Sequence, residues 1–408
     1  MSPRGEALEC KGLAIKRAVI HIGMPKTGTT AIQRTLFSVR SKLLADKQIL
    51  YPSIAANHSV PLGTIFRDKA SLTLQFQEPD TMNEKFFART QEKFRASLEA
   101  DLADPNWHTL VISGEGLSFF NSKVFARFIE WLTKYVSDIS VIAYVRHPVD
   151  WTRSMVQQRL KVRGETLAQI YEDMPLPNWR WHITPWLDAV GLERFRLVSF
   201  DDALEHDGLI ASFCDAAGLP HETILSLDPP PVFANESMSL EAALLLDSLN
   251  RQRPLYIDGK LSPERRRYGR GYGIGAIRSV PGNRFCLSAE HAAKARVDSR
   301  PDLEWLNATF GTNLFPDIFE DAPIETPICP NTMPQATVDA LAIMLSNLEA
   351  EQERARAERQ RERAERQRER AKRQQERADR LKTGLQAHRS PWRRFLRWLS
   401  PYGVGQNH

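Results

Sequence analysis

Cysteine is scarce in this chain of 408 residues. Cys10, Cys214, Cys286 and Cys329 form no C-x-x-C pair and have no histidines at ligand spacing. That excludes a zinc-binding framework or a disulfide-stapled fold as the organising device. Nowhere does an apolar run approach the roughly 18–20 residues of a membrane-spanning helix. The opening stretch, MSPRGEALECKGLAIKRAVIHIG, has no apolar core of signal-peptide length ahead of a cleavage site, so the cytosol is the expected compartment. A strong charge of one sign is also missing from most of the chain. The net charge is +5, but residues 351–400 alone carry seventeen Lys/Arg against eight Asp/Glu, which leaves the remainder mildly acidic. The basic character belongs to the tail, and no nucleic-acid partner is expected from it.

What is present is a globular composition, 42 % apolar, with aromatics plentiful up to about residue 320. RAVIHIG (17–23), TLVIS (109–113), ISVIAYV (139–145) and RFRLVSF (194–200) are short, β-branched or aromatic runs suited to buried strands. Each is followed by a segment with apolar residues at helical spacing, such as TTAIQRTLFSVRSKLL from Thr29. This alternation predicts an α/β fold, a central mainly parallel sheet flanked by helices. The α/β domain is expected over 16–325, after an N-terminal extension of residues 1–15. Residues 250–285, rich in Arg, Gly and Tyr, read as a long loop, either solvated or covering an anionic substrate.

Composition changes near residue 335. AERQRER occurs at 357–363 and again at 364–370, and Ala357, Ala364, Ala371 and Ala378 recur every seven residues. The other core position of the heptad holds Gln360, Gln367 and Gln374, so the apolar seam is thin. Pairs such as Glu362 with Arg366 support a solvated helix. Residues 335–389 are therefore expected to form a long charged helix, single or loosely self-associated as a weak coiled coil. In residues 390–408, WRRFLRWLSPYG alternates aromatics with arginines, a pattern for peripheral contact with the inner membrane face or for a loosely docked tail.

One more absence sets the chemistry. HIGMPKTGTT (21–30) has Gly23 and Gly28 at the separation of a nucleotide-hydrolase phosphate loop, yet no lysine follows the second glycine. Lys26 sits earlier, and the Ser/Thr that would anchor Mg²⁺ after such a lysine is missing. The two glycines permit the torsions that turn backbone N–H groups toward one anion, and a helix start at Thr29 and Thr30 adds positive dipole. The pattern predicts lysine-assisted transfer of an anionic group, with no metal expected.

These residues resemble the sulfotransferases that use 3′-phosphoadenosine 5′-phosphosulfate (PAPS), which have a P-loop fold. Their loop reads P-K-[ST]-G-T-T at the end of the first strand, and PKTGTT (25–30) fits at each position. Their second motif is an arginine at the end of a later strand with a serine eight residues on, supplied here by Arg146 and Ser154 in YVRHPVDWTRSMVQQ. The resemblance covers about residues 16–325 and implies a role for each position. Arg146 and Ser154 would bind the 3′-phosphate that separates PAPS from ATP. Backbone amides of Thr27, Gly28, Thr29 and Thr30 would hold the 5′-phosphate, and Lys26 would offset charge on the bridging oxygen. The acceptor implied is a hydroxyl or amine of a carbohydrate or glycoconjugate.

Such an acceptor needs a general base. Glu115, just past TLVIS, would emerge at the carboxyl edge of the sheet, where open α/β sheets gather their sites; the alternative is a carboxylate capping the next element. His58 in AANHSV is the rival base, since imidazole titrates near neutrality. His21 and His147 read as structural. The three tryptophans of NWRWHITPW (178–186) would stack on a sugar ring or pack against the sheet. Two other classes stay open: a non-catalytic nucleotide-binding scaffold recruiting partners through its C-terminal helix, and a small-molecule kinase.

Overall fold

The computed structural model describes residues 16–68, 84–206, 208–219, 222–226, 237–258, 260–266 and 274–320, with most of 335–369. The expected extension 1–15, the tail 390–408, the helix beyond 369 and part of the Arg/Gly/Tyr-rich stretch (267–273) lie outside the described residues.

Five strands, β1 (Arg17–Gly23), β2 (Ile49–Leu50), β3 (Thr109–Ser113), β4 (Asp138–Val145) and β5 (Phe195–Ser199), form one parallel sheet in the order β2-β3-β1-β4-β5. Helix α1 (Thr29–Lys47) follows β1, while α2 (Ser59–Phe66) and α3 (Glu84–Leu102) lie between β2 and β3. Helix α4 (Ser122–Leu132) leads into β4, and α5 (Pro148–Gln158), α6 (Leu167–Glu172) and α7 (Trp179–Val190) lead into β5. After β5 come α8 (Phe200–Glu205), α9 (Leu209–Ala216), α10 (Glu222–Leu225) and α11 (Leu240–Gln252). A short antiparallel pair, β6 (Tyr256–Ile257) and β7 (Lys260–Leu261), precedes α12 (Pro263–Arg266), α13 (Gly275–Arg278) and α14 (Ala289–Phe310).

The strands are apolar throughout because both faces are covered. On one face Ile20, Ile22, Leu110, Ile112 and Val141 pack with Trp107, Phe128, Trp179 and Trp186. On the other, Val19, Val111, Ile142 and Tyr144 meet Ile32 and Leu36 of α1 and Phe213 of α9. Period-two alternation along each strand sends neighbours to opposite layers. This layout brings the carboxyl ends of β1, β3 and β4 side by side, with the loop after β1 between two neighbours.

The expected strands are present, with β4 starting one residue earlier and β5 shorter by one at each end. The edge strand β2 was not anticipated, since two residues carry too little pattern to read. Residues 250–285 are not one long loop: they contain the end of α11, the β6–β7 pair, α12 and α13. The charged segment from 335 is helical where described, but it does not start as a free rod. Val338 and Ala342 are buried in a third core with Leu245, Leu249 and Ile277. Ser248 donates to Asp339 at 2.6 Å, and the Ala276 N–H donates to Glu349 at 3.1 Å.

Candidate active site

The loop after β1 turns back on itself through three left-handed residues, Gly23 (φ 81°), Lys26 (φ 68°) and Gly28 (φ 72°). For Lys26 that conformation is costly, and such strain persists only where surroundings over-determine it. Here they do. The Thr27 hydroxyl donates to the Met24 carbonyl at 2.5 Å, and Met24 N–H donates to Tyr144 of β4 at 3.2 Å. Trp151 Nε1 donates to the Pro25 carbonyl at 2.8 Å, and Arg146 Nη1 to that of Lys26 at 3.2 Å. A side chain at Gly28 would meet Leu209 at 2.5 Å. Helix α1 then begins without a capping side chain and without an acidic residue in its first turn. Ala31 N–H donates to the Gly28 carbonyl at 2.9 Å, while the N–H groups at the very start of a helix have no acceptor within it and can meet an anion.

Glu115 opens a 3₁₀ turn (Glu115–Phe119) directly after β3. Asn57 Nδ2 donates to both carboxylate oxygens at 3.1 Å, and Gln33 Nε2 of α1 donates to Oε2 at 3.1 Å. Asn57 is itself fixed, its Oδ1 accepting from the Ser59 N–H at 2.8 Å. Gly23 makes the approach possible, because a Cβ there would stand 2.9 Å from that of Glu115. Lys26 lies within electrostatic range of both Glu115 and Arg146. Burial pushes its pKa down, the Arg146 charge adds to that, and the Glu115 carboxylate opposes both.

Arg146 follows β4, its guanidinium 5.2 Å from the centre of the Phe200 ring. Its Nε is buried and has no hydrogen-bond partner among the described residues. A buried orphan donor on a permanent cation is costly, and a phosphate oxygen would satisfy it. Ser154 stands half-buried eight residues on, in α5. The site thus offers a cation with an unmet donor beside a glycine-containing loop and the start of a helix, an arrangement suited to anionic groups. Among the described residues no cluster of three or more His, Cys, Asp or Glu could hold a metal ion.

The structure does not bring the rival base into this group. His58 is buried at 1 % exposure; its Nδ1 accepts from the Ser113 N–H at 3.0 Å, and its Nε2 faces the Pro52 carbonyl at 3.4 Å. Burial holds its pKa at about 4, so it is neutral and serves to tie β3 to the chain ahead of α2. His21, also fully buried, meets the Ser113 hydroxyl at 2.8 Å, and burial lowers its pKa to about 3. His147 Nε2 pairs with Asp317 at 3.0 Å. Of the three tryptophans, Trp179 and Trp186 are core, whereas Trp181 is 57 % exposed. Asn57, Gln33 and Trp151 escaped the sequence reading. Each acts by touching a site residue from another element, a relation that spacing along the chain does not encode.

No protein-family model and no curated protein matches the chain. Among solved structures, a sulfotransferase from Alicyclobacillus acidocaldarius aligns with 58 % of this chain and 93 % of its own, at 14 % identity and a TM-score of 0.33.

Proposed function

We propose that this chain is a sulfotransferase that moves a sulfuryl group from PAPS to a hydroxyl, or an amine, of a carbohydrate or glycoconjugate. The observation that carries the reading is the contact of Arg146 with the Lys26 carbonyl, its Nε left unpartnered among the described residues. It supports the reading by bringing a guanidinium against the loop after β1.

In this reading Arg146 and Ser154 hold the 3′-phosphate through charge-assisted hydrogen bonds. N–H groups of Thr27, Gly28, Thr29 and Thr30 hold the 5′-phosphate. PAPS supplies a sulfuryl group joined to a phosphate that leaves readily. Lys26 stabilises the negative charge that gathers on the bridging oxygen as its bond to sulfur breaks and the acceptor oxygen bonds to sulfur. Glu115 takes the acceptor's proton, its carboxylate oriented by Asn57 and Gln33. The cost of the Lys26 backbone is met by the contacts that fix the loop, so that the ammonium is placed before substrate arrives.

Calorimetric titration with 3′-phosphoadenosine 5′-phosphate against ATP tests the assignment, because only the former offers Arg146 a 3′-phosphate. Preference for the former, followed by a sulfated glycan detected by mass spectrometry, is the expected result. Equal affinity, or phosphoryl transfer dependent on Mg²⁺, would overturn it in favour of a kinase.

A further inference from the structure

A second group of cations lies next to this site, and the nucleotide does not account for it. Helix α5 runs into a π turn (Arg159–Arg163) that ends at Gly164 in the left-handed conformation, φ 63°. Wide turns of this kind leave carbonyls out of the helical ladder and often mark functional positions. Here Asn250 of α11 donates from Nδ2 to the Leu160 and Glu165 carbonyls, each at 2.9 Å, holding the turn open. Arg159 is drawn inward, paired with Glu165 and Asp173. Lys161 is half-buried and has no ion pair or hydrogen bond among the described residues. It stands within electrostatic range of Lys26 on one side and of Arg278, at the end of α13, on the other. Arg278 is exposed and likewise has no ion pair among the described residues.

Like charges converging on a half-buried lysine are unfavourable, and although Glu115 offsets Lys26, Lys161 itself has no carboxylate partner among the described residues. Their arrangement makes sense for an anionic ligand. That ligand is not the 3′-phosphate: Lys161 lies seven residues beyond Ser154, about two turns or roughly 10 Å along the helix. Nor is it the 5′-phosphate, which the loop after β1 would hold. The remaining molecule in the reaction is the acceptor.

We infer that Lys161 and Arg278 form a subsite for an anionic group on the acceptor, so that the substrate is an acidic saccharide, carrying carboxylate or sulfate beside the hydroxyl to be modified. This rests on the sulfotransferase reading for the name of the reaction, but the subsite can be tested without turnover. It also gives α11 and α13 a task. They sit outside the sheet, and through Asn250 and Arg278 they shape the turn and complete the pair of cations.

The test is calorimetry at physiological salt, with 3′-phosphoadenosine 5′-phosphate saturating, using a sulfated uronate tetrasaccharide and a neutral N-acetylglucosamine tetrasaccharide as probes. The acidic probe should bind at least about tenfold more tightly. Lys161→Ala and Arg278→Ala should each remove most of that preference, while affinity for 3′-phosphoadenosine 5′-phosphate stays within about twofold. Lys161→Arg should restore it, which separates lost charge from lost folding. Lys93→Ala, an exposed cation on α3, controls for general attraction. Equal binding of the two probes, or a loss with Lys93→Ala matching that with Lys161→Ala, would overturn the inference. Should 3′-phosphoadenosine 5′-phosphate fail to bind while the acidic probe still depends on Lys161, the subsite stands and the sulfotransferase reading falls.

Discussion

Arg146 Nη1 donates to the main-chain carbonyl of Lys26 at 3.2 Å, a contact between residues 120 apart in sequence. It joins the end of β4 to the loop after β1, the two places that would each hold one phosphate of the same nucleotide. Arg146→Ala removes the guanidinium and frees that carbonyl. Affinity for 3′-phosphoadenosine 5′-phosphate should fall at least tenfold, while that for adenosine 5′-phosphate, which lacks the 3′ group, should change much less. Arg146→Lys should rescue poorly, because a point charge cannot both reach the carbonyl and present a second donor at Nε. Titration calorimetry on the three proteins checks this.

Glu115 is the carboxylate gripped by Asn57 and Gln33. With Glu115 as the proposed base, Glu115→Gln should lower the transfer rate by about 10²–10⁴ with affinity for 3′-phosphoadenosine 5′-phosphate unchanged. Asn57→Ala should cost less, about tenfold, through misorientation alone. Gly23→Ala should damage both rate and binding, since the left-handed backbone at position 23 disfavours a Cβ, which would also stand 2.9 Å from that of Glu115. Product formation followed by mass spectrometry ranks the variants, and an unimpaired Glu115→Gln would remove it from the mechanism.

His21 and His58 make stability depend on pH. Burial lowers their pKa values to about 3 and about 4 in the folded chain, against an ordinary 6.5. Between those limits the unfolded chain binds protons that the folded chain does not, so stability rises with pH. Acidification from pH 6.5 toward 4 should therefore lower Tm progressively, by an amount equivalent to about 1–3 kcal/mol per histidine. Above about pH 7.5 the unfolded histidines are deprotonated too, and neither contributes a further change. His58→Gln, compared with its own Tm at pH 7.5, should flatten the acid branch; an unchanged slope would show that the ring is not the sensor.

The parts of this molecule that could be read along the chain are those whose physics is local. RAVIHIG and TLVIS show their strand character through β-branched runs, and PKTGTT shows its turn through two glycines and a helix start. The edge strand at Ile49–Leu50 exists only because β3 offers it a ladder, and two residues cannot announce that alone. His58 is chemically suited to be a base, and its burial and its contacts with Ser113 and Pro52 come from the fold and not from its place in the sequence. Within WRWHITPW, helical spacing allows either core or surface; the sheet decides it by burying Trp179 and Trp186 and leaving Trp181 out. Lys161 carried no signal, because its neighbours come from residues 26 and 278.

The charged helix after residue 335 reads as separable in sequence, and its first turns are not. Val338 and Ala342 are buried against α11 and α13, Arg253 donates to Asn347 at 3.0 Å, and Glu349 accepts from Ala276 at 3.1 Å. A chain ending at residue 352 keeps all of these contacts, whereas one ending at 334 loses them. The first should unfold in urea with the stability of the full chain. The second should be less stable by about 2–5 kcal/mol, the combined loss of apolar burial and a few hydrogen bonds. Because α13 carries Arg278, the shorter chain should also bind the acidic tetrasaccharide less tightly while binding 3′-phosphoadenosine 5′-phosphate as before. Equal stability of the two truncated chains would show that the docked turns contribute nothing to the fold, and with that the link from the helix to the cation pair would fail.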